Sequence, residues 1–469
     1  MKNLYIKTIV VFLLGQLLVS SCNDFLDVNK DPTKVKAEDV NLEALLPTVL
    51  EATSESHYEA MNAASCATHQ IDQYFGYYTE FTLTSNWSRA YLECLNTLSV
   101  MEEKATEKEA PHYLGIVRIL QALNLGLVTD TWEDAPLAEA LAGSNNITPA
   151  YDTQQKIYQA IFDYLSEAEE YLKVQESTYP PDNDDMIYGG DLKKWENLLH
   201  ALKARYMLHL YHKGQFTASD ILSEVDLGFT SNEDNFQLAY NEVNLNPLHS
   251  DVALANETGN FTVTHGKYFV DLLNGAIYSV VDPRLPIIAD KGASTEYHGL
   301  ASYDPSTPAS TTDLTRDTWY AKENSPIIMM SYSELKFIEA EMALETDPAR
   351  ANKAYLEGIT AHMNMLEVEG SEIEDYLNNP SVDLGLSIDL EHIMKEKYIA
   401  LFLNFEVWND MRRLKYDPKI FRGFEEPDYG GRSEPAARAL YPVSEQNRNA
   451  TNLSSHIREF TQAMWKDLD

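Results

Sequence analysis

Apolar side chains recur at three- and four-residue spacing along most of the chain, the period of a helix with one face on a core. After Asp152, Ile157, Ile161, Leu165, Ala168 and Leu172 trace one such stripe, and Asp152 with Gln155 resembles a capping box at its start. From Asp191, the residues Trp195, Leu199, Leu202, Tyr206 and Leu210 trace a second, closed by Lys213-Gly214. Tyr113 to Val128 is apolar on several faces, which predicts a helix buried between neighbours. Leu335, Ile338 and Met342 mark a helix from Tyr332 to Glu345. Asp347 caps the next and Pro348 occupies its first turn, with Ala351, Tyr355, Ile359 and Met363 on its apolar face. So short a connection folds the two into an antiparallel hairpin.

The pattern from about Ile388 to Lys415 predicts a single long helix of about 40 Å. Ser387 caps it, Asp389 and Glu391 sit in its first turn, and Arg412, Arg413 and Lys415 meet its negative end. Its stripe is Leu390, Met394, Tyr398, Leu401, Phe405 and Trp408, and Asp417-Pro418 stops it. Residues 225–265 and 281–326, and the tail from Asp417 to Tyr441, are rich in turn formers, with room for short strands such as Phe261-Thr262-Val263. The fold class expected is mainly α. Stacked helix pairs form a degenerate tetratricopeptide-like solenoid that carries long irregular loops and a few short strands. No repeat of fixed period is evident.

The N-terminus changes this picture. Lys2 and Lys7 precede an apolar run from Ile9 to Val19, and Val19-Ser20-Ser21-Cys22 is a loose lipobox. The run is about a dozen residues, short of the roughly 20 a spanning helix needs, so 1–21 reads as a processed signal and Cys22 as a lipidated first residue, with an ordinary secretory signal and an incidental Cys22 as the alternative. Residues 22–40 would be a tether and 41–469 one helical domain, with a loop-rich, ligand-facing insert at about 225–326.

Charge narrows the partners. Against 36 Lys and Arg stand 73 Asp and Glu, a net charge of −37, which repels phosphate backbones and argues against nucleic acid. Cys66 and Cys94 read as buried free thiols on separate helices, with a bridge as the alternative.

Catalytic chemistry is scarce. No Gly-rich phosphate loop, His-Glu-x-x-His helix or Gly-x-Ser-x-Gly elbow occurs, and no catalytic residue, metal ligand or cofactor motif is assigned. Asp182, Asp184 and Asp185 read as a solvated loop. Glu406, Asp410 and Arg413 read as a structural ion-pair network rather than a tuned acid. Aromatic clusters are the better binding candidates: Tyr74 to Trp87, and Tyr297, Tyr303, Trp319 and Tyr320. Flat rings near amides and hydroxyls suit sugars or peptides, and Tyr77, Tyr78, Trp87, Trp319 and Tyr320 are the rings expected to bind.

Four stretches then resemble the SusD/RagB family of outer-membrane nutrient-binding lipoproteins of Bacteroidetes, in its SusD-like branch of unassigned ligand. They are Ser21-Cys22-Asn23-Asp24-Phe25-Leu26-Asp27; Trp195 with Leu202-Lys203-Ala204-Arg205-Tyr206; Tyr332-Ser333-Glu334-Leu335 with Glu339-Ala340-Glu341; and Lys397-Tyr398-Ile399-Ala400-Leu401 through Arg412-Arg413, followed by Tyr441-Pro442-Val443-Ser444-Glu445. Asp282-Pro283-Arg284-Leu285 is similar too.

The resemblance implies a non-catalytic, lipid-anchored receptor at the cell surface. It would capture an oligosaccharide or peptide and pass it to a SusC-like TonB-dependent transporter. The aromatic arc of starch-binding members has no residue-by-residue match here, so starch specificity is not carried over. A glycan-cleaving surface lipoprotein and a helical-repeat envelope scaffold remain the alternatives.

Overall fold

A computed structural model describes residues 40–73, 82–260, 262–292, 294–301, 311–426 and 434–468. The signal peptide, Cys22 and the tether expected at 22–40 lie outside them, save residue 40. In chain order the main elements are α1 (Leu42–Ala67), β1 (Ile71–Gln73), α2 (Thr84–Arg89), α3 (Asn96–Glu107), α4 (Pro111–Trp132), α5 (Gln154–Leu172), α6 (Leu192–His209) and α7 (Ala218–Val225). Then come β2 (Phe236–Leu238), β3 (Val263–His265), β4 (Ile327–Met330), α8 (Tyr332–Ala343), α9 (Pro348–Met365), α10 (Leu390–Ala400) and α11 (Glu406–Arg413), with shorter helices between them.

The fold is mainly α, as expected. Its strands form two antiparallel pairs. β1 lies on β3 with Ile71 opposite His265, and β2 lies on β4 with a bulge between Phe236 and Gln237. The strand foreseen at 261–263 starts at Val263, and Phe261 lies outside the described residues.

α4 is buried on nearly every face, with only Pro111 and Arg118 partly open. Its Gly126 admits the Tyr206 ring of α6 so closely that an added Cβ would stand 2.2 Å from the hydroxyl. α8 and α9 pack as the predicted hairpin, and the Asp347 carboxylate accepts the Arg350 N–H at the start of α9. Asp191 likewise accepts from Lys193 and Lys194 to start α6. Thr153, not Asp152, caps α5. Asp152 is drawn away to the N–H groups of Leu137 and Ala138.

Two apolar cores result. One gathers α3 to α6 around Trp132 and Trp195, the other α8 to α10 around Phe269, Tyr355 and Tyr398. α1 serves both, Leu46 and Leu50 in the first and Tyr58 and Met61 in the second.

The single 40 Å helix expected from Ile388 to Lys415 is instead broken into α10 and α11. Leu403 takes a left-handed φ of 54°. The freed backbone groups are satisfied from afar: Gln70 donates to the carbonyls of Tyr398 and Leu401 and accepts the Leu403 N–H. Asn404 then accepts the Glu406 N–H to start α11. Asp389, not Ser387, caps α10.

Asp410 and Arg413 share one buried structural ionic network, and Glu406 belongs to a second one beside it. Arg413 forks onto Glu341 at 2.6 Å and also holds Asp410, which Lys397 meets at 2.8 Å. Glu406 meets His209 Nε2 at 2.8 Å, and Arg205 forks onto Glu334 at 2.6 and 2.7 Å. Burial alone would raise the Glu406 carboxyl, but Arg205 and His209 outweigh it and hold it well below the usual range. Burial would likewise lower His209, which Glu406 and Asp130 raise instead.

Asp185 departs from its expected solvated loop. It is buried, and it accepts the N–H groups of Ile187, Tyr188 and Gly190 and the Trp195 indole at 2.7 Å. Cys66 and Cys94 are buried free thiols, both pushed up by burial, Cys94 to about 12.

Candidate functional site

α1 presents an unusual polar face for a core helix, running from Ser54 through His57, Tyr58 and Glu59 to Asn62. Where it meets α2 and the turn at 249–253, a cleft of about 620 Å³ opens. Tyr58, Glu59, Asn62 and Cys66 form one wall, and Leu83, Thr84, Ser85 and Asn86 another. Gln73, Asp251, Val252, Thr262 and Val263 complete it. The volume is in the range of small-molecule sites, which run roughly 300–1,000 Å³.

Polar groups in this cleft are fixed by their neighbours. The Tyr58 hydroxyl donates to Asp251 at 3.0 Å, and burial followed by the Asp251 charge raises its pKa. Asn86 donates to the Ser56 carbonyl at 2.6 Å and hydroxyl at 3.0 Å. Behind Glu59, Arg89 holds Glu55 at 2.5 Å, Glu59 at 3.1 Å and Glu93 at 3.0 Å. Burial pushes the Glu59 carboxyl up, and Arg89 pulls against that shift. A cleft lined with hydroxyls, amides and carboxylates is chemically suited to a polyhydroxylated ligand.

A second cleft of about 370 Å³ lies further along α2, on Trp87, Tyr91, Leu92, Pro136, Leu141 and Arg448. It is the more apolar of the two.

The expected binding rings fare differently. Tyr77 and Tyr78 lie outside the described residues. Trp87 is only 6% exposed: it packs edge-on to Trp132 at 5.0 Å and against Tyr91, Tyr151 and Tyr441. Its ring is mostly core, and only its small exposed part meets the second cleft.

Tyr320 is also 6% exposed. Its hydroxyl pairs with His362 Nε2 at 3.0 Å, and its ring packs edge-on to Phe402. Arg284 donates to His362 Nδ1, so that nitrogen is the acceptor and Nε2 carries the proton given to Tyr320. Burial, then Arg284, keeps His362 neutral. Of the three expected rings that are described, Trp319 alone is half-buried, edge-on to Tyr320 at 4.9 Å. The expectation that Trp87 and Tyr320 bind a ligand is at odds with their burial, because both rings are held in packing.

Sequence reasoning missed Tyr58, Glu59, Asn62 and Asp251. The signal for the first three was the polar positions between 54 and 62 inside an otherwise apolar helix, and Asp251 carried none. Among the described residues no group of three His, Cys, Asp or Glu side chains is placed to hold a metal ion, and no helix is long and apolar enough to cross a membrane.

The model of the SusD-like family described as starch-binding and associating with the outer membrane matches residues 35–442. The chain belongs to this family. The SusD-like chain is similar in fold to a SusD homolog from Bacteroides uniformis, at a TM-score of 0.77 and 19% identity over 93% of this chain and 100% of that one. A chitin-binding SusD homolog from Flavobacterium johnsoniae aligns at 0.74 and 18% over 91% and 99%. A SusD/RagB family protein from Bacteroides thetaiotaomicron aligns at 0.71 and 23% over 91% and 99%. No curated protein sequence matches the chain.

The SusD-like motifs among the described residues are held in scaffold contacts. Arg284 is wholly buried between Asp282 and Glu396, Tyr398 donates to the Thr68 carbonyl, and Glu445 accepts from Tyr151.

Proposed function

We propose that this SusD-like chain is a non-catalytic surface lipoprotein, anchored through Cys22, that captures an oligosaccharide and delivers it to a SusC-like TonB-dependent transporter. The observation that carries the reading is the match of residues 35–442 to a family described as starch-binding and associating with the outer membrane. The 620 Å³ cleft supports it, because its hydroxyls, amides and carboxylates suit sugar hydroxyls better than they suit an apolar ligand. Tyr77, Tyr78 and Trp319 are the rings proposed to stack on the sugar. The chitin-binding relative extends the candidate ligands to amino-sugar polymers.

Two measurements test the reading together. Purified protein is titrated with a panel of oligosaccharides and peptides while reducing ends are followed. Saturable glycan binding without new reducing ends supports capture. Accumulating reducing ends would assign a glycan-cleaving enzyme instead. Affinity capture from outer membranes should recover a TonB-dependent barrel; recovery of none, with no glycan bound, would favour an envelope scaffold.

A further inference from the structure

The large cleft is unbalanced in charge. Glu59 on the lining shares the single guanidinium of Arg89 with Glu55 and Glu93, and Arg89, Glu55 and Glu93 stand behind the wall rather than on it. On the facing wall Asp251 is exposed, and the hydrogen bond it accepts comes from the neutral Tyr58 hydroxyl. No Lys or Arg is among the described residues that line the cleft.

Acceptors on the lining also lack donors, and the unpartnered donor next to Glu59, Arg89 Nε, lies behind the wall. Among the described residues, Glu59 Oε2 and Asn86 Oδ1 are buried at this lining without a hydrogen-bond partner. Asn86 is only 1% exposed, and its amide nitrogen is already committed to Ser56. Buried acceptors left without a donor cost free energy that an incoming donor recovers. An ammonium group answers both deficits, with one positive charge and three N–H donors on one atom.

We infer that this cleft selects glycans carrying free, protonated amines, built from 2-amino-2-deoxy sugars without N-acetyl groups, over neutral and anionic glycans of the same length. The inference rests on the glycan-capture reading and adds the charge class of the ligand. Acetylation removes the charge and leaves one N–H. A uronate or sulfate brings a further negative charge against Glu59 and Asp251, in a chain whose net charge is already −37.

The test is calorimetry on the full chain with four tetramers: glucosamine, its N-acetylated counterpart, maltotetraose and galacturonate. The glucosamine tetramer should bind at least about tenfold tighter than the other three, as a charge-assisted hydrogen bond provides, and the preference should narrow at high salt. Asp251→Asn, at an exposed position, and Glu59→Gln should each reduce that preference by about tenfold. Equal or tighter binding of the N-acetylated or galacturonate tetramer, or an unchanged preference in both variants, would overturn the inference. If maltotetraose binds and no amine preference exists, the inference fails and glycan capture stands. If none of the four binds, the inference fails, and the wider oligosaccharide panel decides whether capture stands.

Discussion

Replacing Arg284 by methionine tests how the SusD-like scaffold is held together. The Arg284 side chain is fully buried, and so are its partners Asp282 and Glu396. Its guanidinium gives Nε to Asp282 Oδ1 at 2.9 Å, one terminal nitrogen to Asp282 Oδ2 at 2.5 Å and to Glu396, and the other to His362 Nδ1 at 3.0 Å. Methionine keeps much of the stem's volume and removes every one of these donors.

Glu396 would retain Lys395 at 2.5 Å and the Tyr376 hydroxyl at 2.8 Å. Asp282 would keep only the backbone N–H of residue 284 among its recorded donors. The cost is that of one uncompensated buried carboxylate, about 3–5 kcal/mol. Urea unfolding followed by tryptophan fluorescence reads it, and with a slope of about 3 kcal/mol per molar the midpoint should fall by about 1 M or more.

Adding Asp282→Asn keeps that backbone contact and removes the stranded charge, so the double variant should recover part of the loss. Arg316, exposed and paired with exposed Glu257, serves as the control; Arg316→Met should leave the midpoint unchanged. A midpoint shift for Arg284→Met no larger than the control's, or a double variant no more stable than the single, would refute the argument.

Gly126→Ala should destabilise the protein by about 1–3 kcal/mol, because the new methyl meets a Tyr206 ring held in the core; thermal unfolding measures it. Glu109, exposed at the turn between α3 and α4 with φ 52°, is strained for a residue with a Cβ. Glu109→Gly should raise stability by about 0.5 kcal/mol, left-handed strain relieved less backbone entropy lost, and an unchanged or lower urea midpoint would count against it.

Burial works to lower His69, but Asp72 and then Glu426 outweigh it and raise its pKa to about 10. A folded-state value above the unfolded 6.5 means the stabilisation is complete below pH 6.5 and is lost as pH rises toward 10. Wild type should therefore lose stability between pH 7 and about 10 relative to His69→Gln, and parallel stability profiles would contradict the assignment.

The helices whose ends are set locally could be read from the chain. Asp191 and Asp347 cap where their side chains suggest, since a cap needs only a residue three positions away. The break between α10 and α11 was not legible. No Gly or Pro marks it, and the group that satisfies its free carbonyls is Gln70, more than 300 positions earlier.

The same non-locality decided the rings. Trp87 and Tyr320 stand among polar neighbours in sequence, yet Trp132 and Tyr441 cover one and Phe402 and His362 hold the other. The cleft escaped notice because its acceptors come from three separate elements, Glu59 on α1, Asn86 on α2 and Asp251 in the turn at 249–253. Asp185 escaped for a related reason: one carboxylate in an acidic run is claimed by four donors, and its neighbours stay near solvent.

Glycan capture in the large cleft is tested most directly by titrating the full chain and Ser85→Trp side by side with the same oligosaccharides. Ser85 is exposed on the cleft wall, so an indole there occupies the space without disturbing a packed core. The account predicts saturable oligosaccharide binding by the unmodified chain and its loss in Ser85→Trp, with thermal unfolding of the two unchanged. Equal affinity in both, or no oligosaccharide bound by either, would contradict it.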